Sequence, residues 1–183
     1  QNRDIFTQKK PEEDYEGDWA DVKTVLDEAL SSYAAMRSSE GEKTETDIRG
    51  KMDRVAAWAK EVGELSAQDL PLYRSRLEQR IKQHLGDNNI QIDEQRILTE
   101  CAIFADKIAI DEELVRLNSH FAAFGDILRA REPVGRKLDF LLQEINRETN
   151  TIGSKANNAQ IAHLVVNMKG ELEKIREQIQ NIE

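Results

Sequence analysis

From Trp19 onward, apolar residues recur every three or four positions, the spacing of one face of an α-helix. Trp19, Val22, Leu26, Ala29, Leu30 and Tyr33 make a first run, with Asp18 placed to cap it. Ser38-Ser39-Glu40-Gly41 is a soft spot, after which Ile48, Met52, Val55, Ala59 and Val62 predict a second helix from about Thr44 to Glu64. Leu65–Pro71 reads as a turn, with Pro71 starting a third helix that carries Leu77, Ile81 and Leu85 and ends at Gly86. The polar stretch Asp87–Gln91 is the clearest linker.

Asp93 caps the longest expected helix, running to about Arg131 and spanning roughly 58 Å. Its apolar line changes from Cys101, Phe104 and Ile108 to Ile110, Leu114, Leu117, Phe121, Phe124 and Leu128. That shift near Ala109 predicts a stutter. Pro133-Val134-Gly135 opens a further helix with Leu138, Leu141, Leu142 and Ile145 inward. The last helix has heptad spacing from Ile161 through Val165, Met168, Leu172, Ile175 and Ile179 to Ile182, and stays amphipathic to its end, so a docked C-terminus is expected. Such a seam serves either the chain's own helices or a subunit contact.

These patterns predict an all-α fold, a long-helix antiparallel bundle with a coiled-coil-like C-terminal helix. Three parts are expected: an irregular lead-in over 1–17, a helical middle region over 18–91 and a C-terminal helical domain over 92–183. Composition agrees. Of 183 residues only 5% are aromatic and 33% are charged, with 9 Gly and 3 Pro, which favours helices over sheets. No apolar stretch of about 18 residues occurs and the N-terminus has no signal-peptide pattern, so a soluble, cytoplasmic protein without a membrane partner is expected. The lone Cys101 fits a reducing compartment, and a small buried hydrophobe is the ordinary reading of it. The first residue is Gln1 rather than Met, which reads as a fragment or a processed chain.

Net charge is −9, so nucleic acid would have to be held by a local basic cluster, by divalent cations, or by both. Three regions carry candidate chemistry. In the first, Asp111, Glu112, Glu113, Arg116 and His120 cluster on the long helix; Glu113 and His120 are seven residues apart, on one face, where carboxylate and imidazole can hold Mn²⁺ or Mg²⁺. The plainer reading is an i,i+4 pair of Glu112 with Arg116 beside a half-buried histidine. In the second, Arg129, Arg131, Arg136 and Lys137 gather at a helix corner that suits either a phosphate backbone or a helix dipole. The third is the run from Gln143 to Lys155, which packs Glu144, Asn146, Arg147, Glu148, Asn150 and Ser154 around few apolar residues. Asn and Thr are mediocre helix formers, so their density predicts a site or a buried polar interface as readily as a solvated face.

The strings GRKLDFLLQEINRETNTIGSKANNAQI (Gly135–Ile161) and IREQIQNIE (Ile175–Glu183) resemble the YicC family of bacterial, stress-induced proteins. ILTECAIFADK and IDEELVRLNSH fit it in register at Glu100, Glu112, Glu113, Arg116 and His120, and YRSRLEQRI fits more loosely. The resemblance is specific from about Asp93 and moderate over Trp19–Gly86. It implies an N-terminal α/β domain in the family, so this chain is expected to be the C-terminal portion, and an acid in the family where Ala109 stands here. It further implies a hexameric, divalent-cation-dependent endoribonuclease acting on RNA, with RNA-degradation proteins as further partners. Within that class, local chemistry shortlists Glu113, His120 and Glu177 at the metal. Glu148 is a further catalytic acid, and Arg147 and Arg176 would stabilise phosphoryl charge. Arg136, Lys137, Gln143, Asn146, Asn150, Ser154 and Lys155 are expected on RNA. A non-catalytic RNA-turnover adaptor or helical oligomeric scaffold is the alternative.

Overall fold

The computed structural model describes residues 15–85, 93–130, 133–180 and 182. Among them are five helices and no strand: α1 (Tyr15–Leu85), α2 (Glu94–Ile108), α3 (Asp111–Leu128), α4 (Gly135–Lys155) and α5 (Ala159–Ile179). The all-α expectation holds. The chain divides into two compact units, Gln1–Lys43 and Thr44–Glu183. The linker expected at Asp87–Gln91, and Arg131 of the basic corner, lie outside the described residues.

In the first unit the described residues are helical from Tyr15, so Asp18 stands in the first turn rather than capping it. The side chains expected to face inward here, including Trp19, Val22, Leu26, Leu30 and Tyr33, are exposed.

The second unit has one core, built by α1 from Ile48 together with α3, α4 and α5. Its heptad line behaves as the spacing requires: Ile161, Val165, Met168, Leu172, Ile175 and Ile179 are all buried. The seam serves the chain's own helices. α5 runs antiparallel to α1, since Arg54 meets Glu171 at 3.1 Å and Asp69 accepts from Asn158 at 3.0 Å, while Asp47 accepts from Gln178 near the other end. On its other side α5 packs on α4, so closely that a Cβ on Gly153 would stand 2.9 Å from Val165 Cγ1. Glycine alone permits that approach. The C-terminal segment does dock: Ile182 packs on the core, and a Cβ on Gly135 would lie 2.6 Å from its carbonyl oxygen.

Two local expectations are corrected. The turn at Leu65–Pro71 is absent, because α1 passes through Pro71 without interruption. A proline inside a helix costs about 3 kcal/mol, and tertiary contacts on both sides offset it. Leu65 packs on the core, Asp69 is tied to Asn158, and the Tyr73 ring stacks on Phe104 of α2 with centroids 3.8 Å apart. Conversely, the single long helix over Asp93–Arg131 is two helices, broken at Ala109-Ile110. Residues two apart on a helix point about 200° from each other, yet Ile108 and Ile110 are both buried. Breaking the helix between them lets both be buried, Ile110 in the core. Asp93 caps α2 as expected, accepting from the Gln95 amide at 3.0 Å.

Candidate metal and phosphate site

α3 and α4 pack face to face in antiparallel register. Glu113, Arg116 and His120 recur at helical spacing on α3, and opposite them α4 presents Lys155, Glu148 and Glu144 in that order. Two polar ladders therefore meet inside an otherwise apolar contact, flanked by the fully buried Leu117, Ile145 and Ile152.

At one end, Lys155 Nζ donates to Glu113 Oε1 at 2.9 Å and to the Ala109 carbonyl at 2.8 Å. It thereby satisfies an acceptor that the break between α2 and α3 leaves without a helical partner. Glu113 is only 4% exposed. Burial pushes its carboxyl up, but the Lys155 hydrogen bond, its own backbone and the charges of Lys155 and Arg116 outweigh that, holding it below the ordinary range. Its Oε2 is buried without a hydrogen-bond partner.

Arg116 links this end to the middle. Its guanidinium meets Glu112 and Glu113 at 3.2 Å each, and its Nε lies 3.1 Å from Glu148 Oε2. That last contact is an ion pair whose N–H is poorly aimed, since Nε has no hydrogen bond of good geometry. The Glu148 carboxylate, with Glu112, Glu113 and against some burial, raises the Arg116 pKa and keeps it cationic.

At the other end, His120, Glu144 and Glu148 each bring one ligand atom within 4.8 Å of the others. Glu148 is 3% exposed, Glu144 and His120 are half-buried, and His120 Nε2 is buried without a partner. One imidazole and two carboxylates suit Mn²⁺ well and Mg²⁺ less well, leaving further coordination positions for water or phosphate oxygens. The donor set and the unsatisfied imidazole nitrogen fit a divalent cation. Arg147 guards the rim: its Nη2 sits 2.7 Å from Glu144 Oε2 and 3.2 Å from Glu148 Oε1.

The remaining expected residues fall into separate places. Gln143, Asn146 and Arg176 line a shallow polar cleft between α4 and α5 with Lys169 and Glu173. Arg176 also stands 3.8 Å from Asp139, which accepts from Gln143 at 2.8 Å. Arg136 and Lys137 are exposed in the first turn of α4. Asn150 and Ser154 are exposed further along it, the Ser154 hydroxyl donating to the Thr151 carbonyl. Glu177 is exposed on α5 and is not a member of the trio, and Glu113 is taken up by Lys155 and Arg116. The plain i,i+4 pairing of Glu112 with Arg116 is present as well, so Arg116 serves both readings. Glu144 is the member that sequence reasoning left unassigned; its i,i+4 relation to Glu148 placed both on one face of a helix. Thr149, fully buried, is satisfied by donating to the Ile145 carbonyl within its own helix.

Residues 61–183 match the family model described as "Endoribonuclease YicC-like, C-terminal". Over 180 residues, 98% of this chain, it is 44% identical to a Clostridioides difficile protein named probable endoribonuclease YicC, covering 61% of that protein. A Haemophilus influenzae protein of the same name is 39% identical over 172 residues, covering 94% of this chain and 58% of the relative. The chain thus spans about three fifths of the length of the curated relatives it matches. A match over two thirds of the chain, including every residue of the α3–α4 ladder, makes this chain a member of the YicC-like endoribonuclease family.

Proposed function

We propose that this chain is a subunit of a divalent-cation-dependent endoribonuclease that cleaves RNA phosphodiester bonds within a homo-oligomer in the cytoplasm. The observation that carries the reading is the convergence of His120, Glu144 and Glu148 within 4.8 Å of one another beside a buried, unpaired imidazole nitrogen. A cation held there would supply Lewis-acid polarisation of a phosphoryl oxygen and local positive charge in an acidic protein. Arg147, at the rim, is positioned to neutralise the scissile phosphate. Arg116 and Lys155 position the acids: Arg116 holds Glu148 from behind, and Lys155 ties down Glu113. Gln143, Asn146 and Arg176 offer bases or ribose a second, separate polar contact surface, with Arg136 and Lys137 on the same helix as a phosphate contact. Glu177 is a peripheral acid in this scheme. The exposed apolar side chains of the first unit fit a protein that works in an assembly, such as a hexamer, beside other RNA-degradation proteins.

The test is cleavage of end-labelled single-stranded RNA by the chain, and by the full-length Clostridioides difficile relative, with Mn²⁺, Mg²⁺ or EDTA. Cation-dependent fragments that vanish in His120→Ala and Glu148→Gln support the proposal. A second reading has its own observation: Arg116 and Arg147 already neutralise Glu148, as a structural ion network does. RNA binding without cleavage under every cation would favour that non-catalytic adaptor.

A further inference from the structure

We infer that Arg147 is a displaceable plug, occupying the cation site when no cation is present and freed toward phosphate when one binds; this rests on the cation site proposed above. One nitrogen of its guanidinium bridges two of the three ligand residues, 2.7 Å from Glu144 and 3.2 Å from Glu148. A divalent ion shared by those carboxylates would have to occupy the field that this nitrogen now fills. Two cations cannot both neutralise the same pair of oxygens at contact distance without strong mutual repulsion.

The two arginines of the ladder differ in freedom. Arg116 is engaged by three carboxylates, Glu112, Glu113 and Glu148, and is pinned between the helices. Arg147 has its side chain 65% exposed and, among the described residues, pairs with Glu144 and Glu148. It can swing outward by side-chain rotation alone, without disturbing the core beneath. Arg116 is therefore the fixed counter-charge and Arg147 the movable one. The exchange couples two ligands: cation binding releases a guanidinium at the rim, and a phosphate that captures the guanidinium vacates the cation site. By linkage each must strengthen the other.

The experiment is a Mn²⁺ titration of the wild-type chain, Arg147→Gln and Arg147→Lys, following free Mn²⁺ by electron paramagnetic resonance, with circular dichroism to verify equal helicity. Removing the plug should tighten Mn²⁺ binding about three- to tenfold, a modest change because the Arg147 side chain is itself largely exposed to solvent. Arg147→Lys, which keeps the charge, should stay near wild type. A 2′-O-methyl oligoribonucleotide, which resists cleavage, should tighten Mn²⁺ binding more in the wild type than in Arg147→Gln. Unchanged or weaker Mn²⁺ binding in Arg147→Gln, with the wild type binding normally, overturns the plug and leaves the cation site standing. Failure of all three proteins to bind Mn²⁺ overturns the cation site and the plug together.

Discussion

Two of the sets of charges that cross between helices among the described residues are built differently. Along the α1–α5 seam, Arg54 meets Glu171 with the arginine side chain 52% exposed, and Lys174 meets the same carboxylate from one turn away. Between α3 and α4, Glu113 and Glu148 are 4% and 3% exposed and are reached by cations whose heads lie nearer the surface. The first set borders a continuous apolar stripe that already holds the helices together. The second interrupts such a stripe. Burying carboxylates costs several kcal/mol per ion, which pairing recovers only in part. A packed helix pair that takes on this cost, and leaves a histidine nitrogen and a glutamate oxygen unsatisfied, gives up stability that an apolar contact would keep.

Variants can break or sharpen that contrast. The largest stability effect belongs to the apolar seam: Ile175→Ala should destabilise the second unit by about 2–5 kcal/mol, measured by urea unfolding. A loss below 1 kcal/mol would mean that the charges, not the stripe, hold α5 in place. On the α3–α4 side the largest effect should be functional. Glu148→Gln should lower Mn²⁺-stimulated RNA cleavage by at least about 100-fold while changing stability far less than Ile175→Ala. Equal turnover in this variant would make the ladder a structural network.

The pH dependence of stability separates the two sets further. Glu113 has its carboxyl held below 4.5 in the folded chain. Its stabilising contribution is therefore complete above the unfolded value and is lost as pH falls through the folded one, in the region below pH 4.5. Glu113→Gln should cost about 1–2 kcal/mol at pH 7 and flatten the acid limb of the unfolding profile. An unaltered acid limb would show that Lys155 and Arg116 do not act on this group. The smallest effect is expected at the exposed pair: a double-mutant cycle on Arg54 and Glu171 should give a coupling of about 0.2–1 kcal/mol, shrinking in salt.

How far the fold could be foreseen depended on whether a residue's role was local. Val165, Met168, Leu172 and Ile175 repeat at heptad spacing, and repetition at that period admits few backbones other than a packed helix, so α5 was legible throughout. Asp93 was legible as a cap because its bond to the Gln95 amide spans two residues. Pro71 misled because its local meaning is a boundary, while Tyr73 on Phe104 and Asp69 on Asn158 carry the helix across it. Ala109-Ile110 misled in the opposite direction: the shift in apolar spacing was visible, but a stutter and a break look alike until it is known that Ile108 and Ile110 are both buried.

The candidate site divides along the same line. Periodicity put His120 on one helix face with Glu113, and residue type marked the Gln143–Lys155 run, which contains Glu148, as unusually polar for a helix. They could not pair Glu148 with His120 rather than with Glu177, because ligand distances depend on the register between α3 and α4. Helical pattern is encoded every few residues and survives in the linear chain, whereas a three-ligand cluster forms only when two helices lock at one register. Here that register comes from buried Leu117, Ile145 and Ile152, which carry no chemistry of their own.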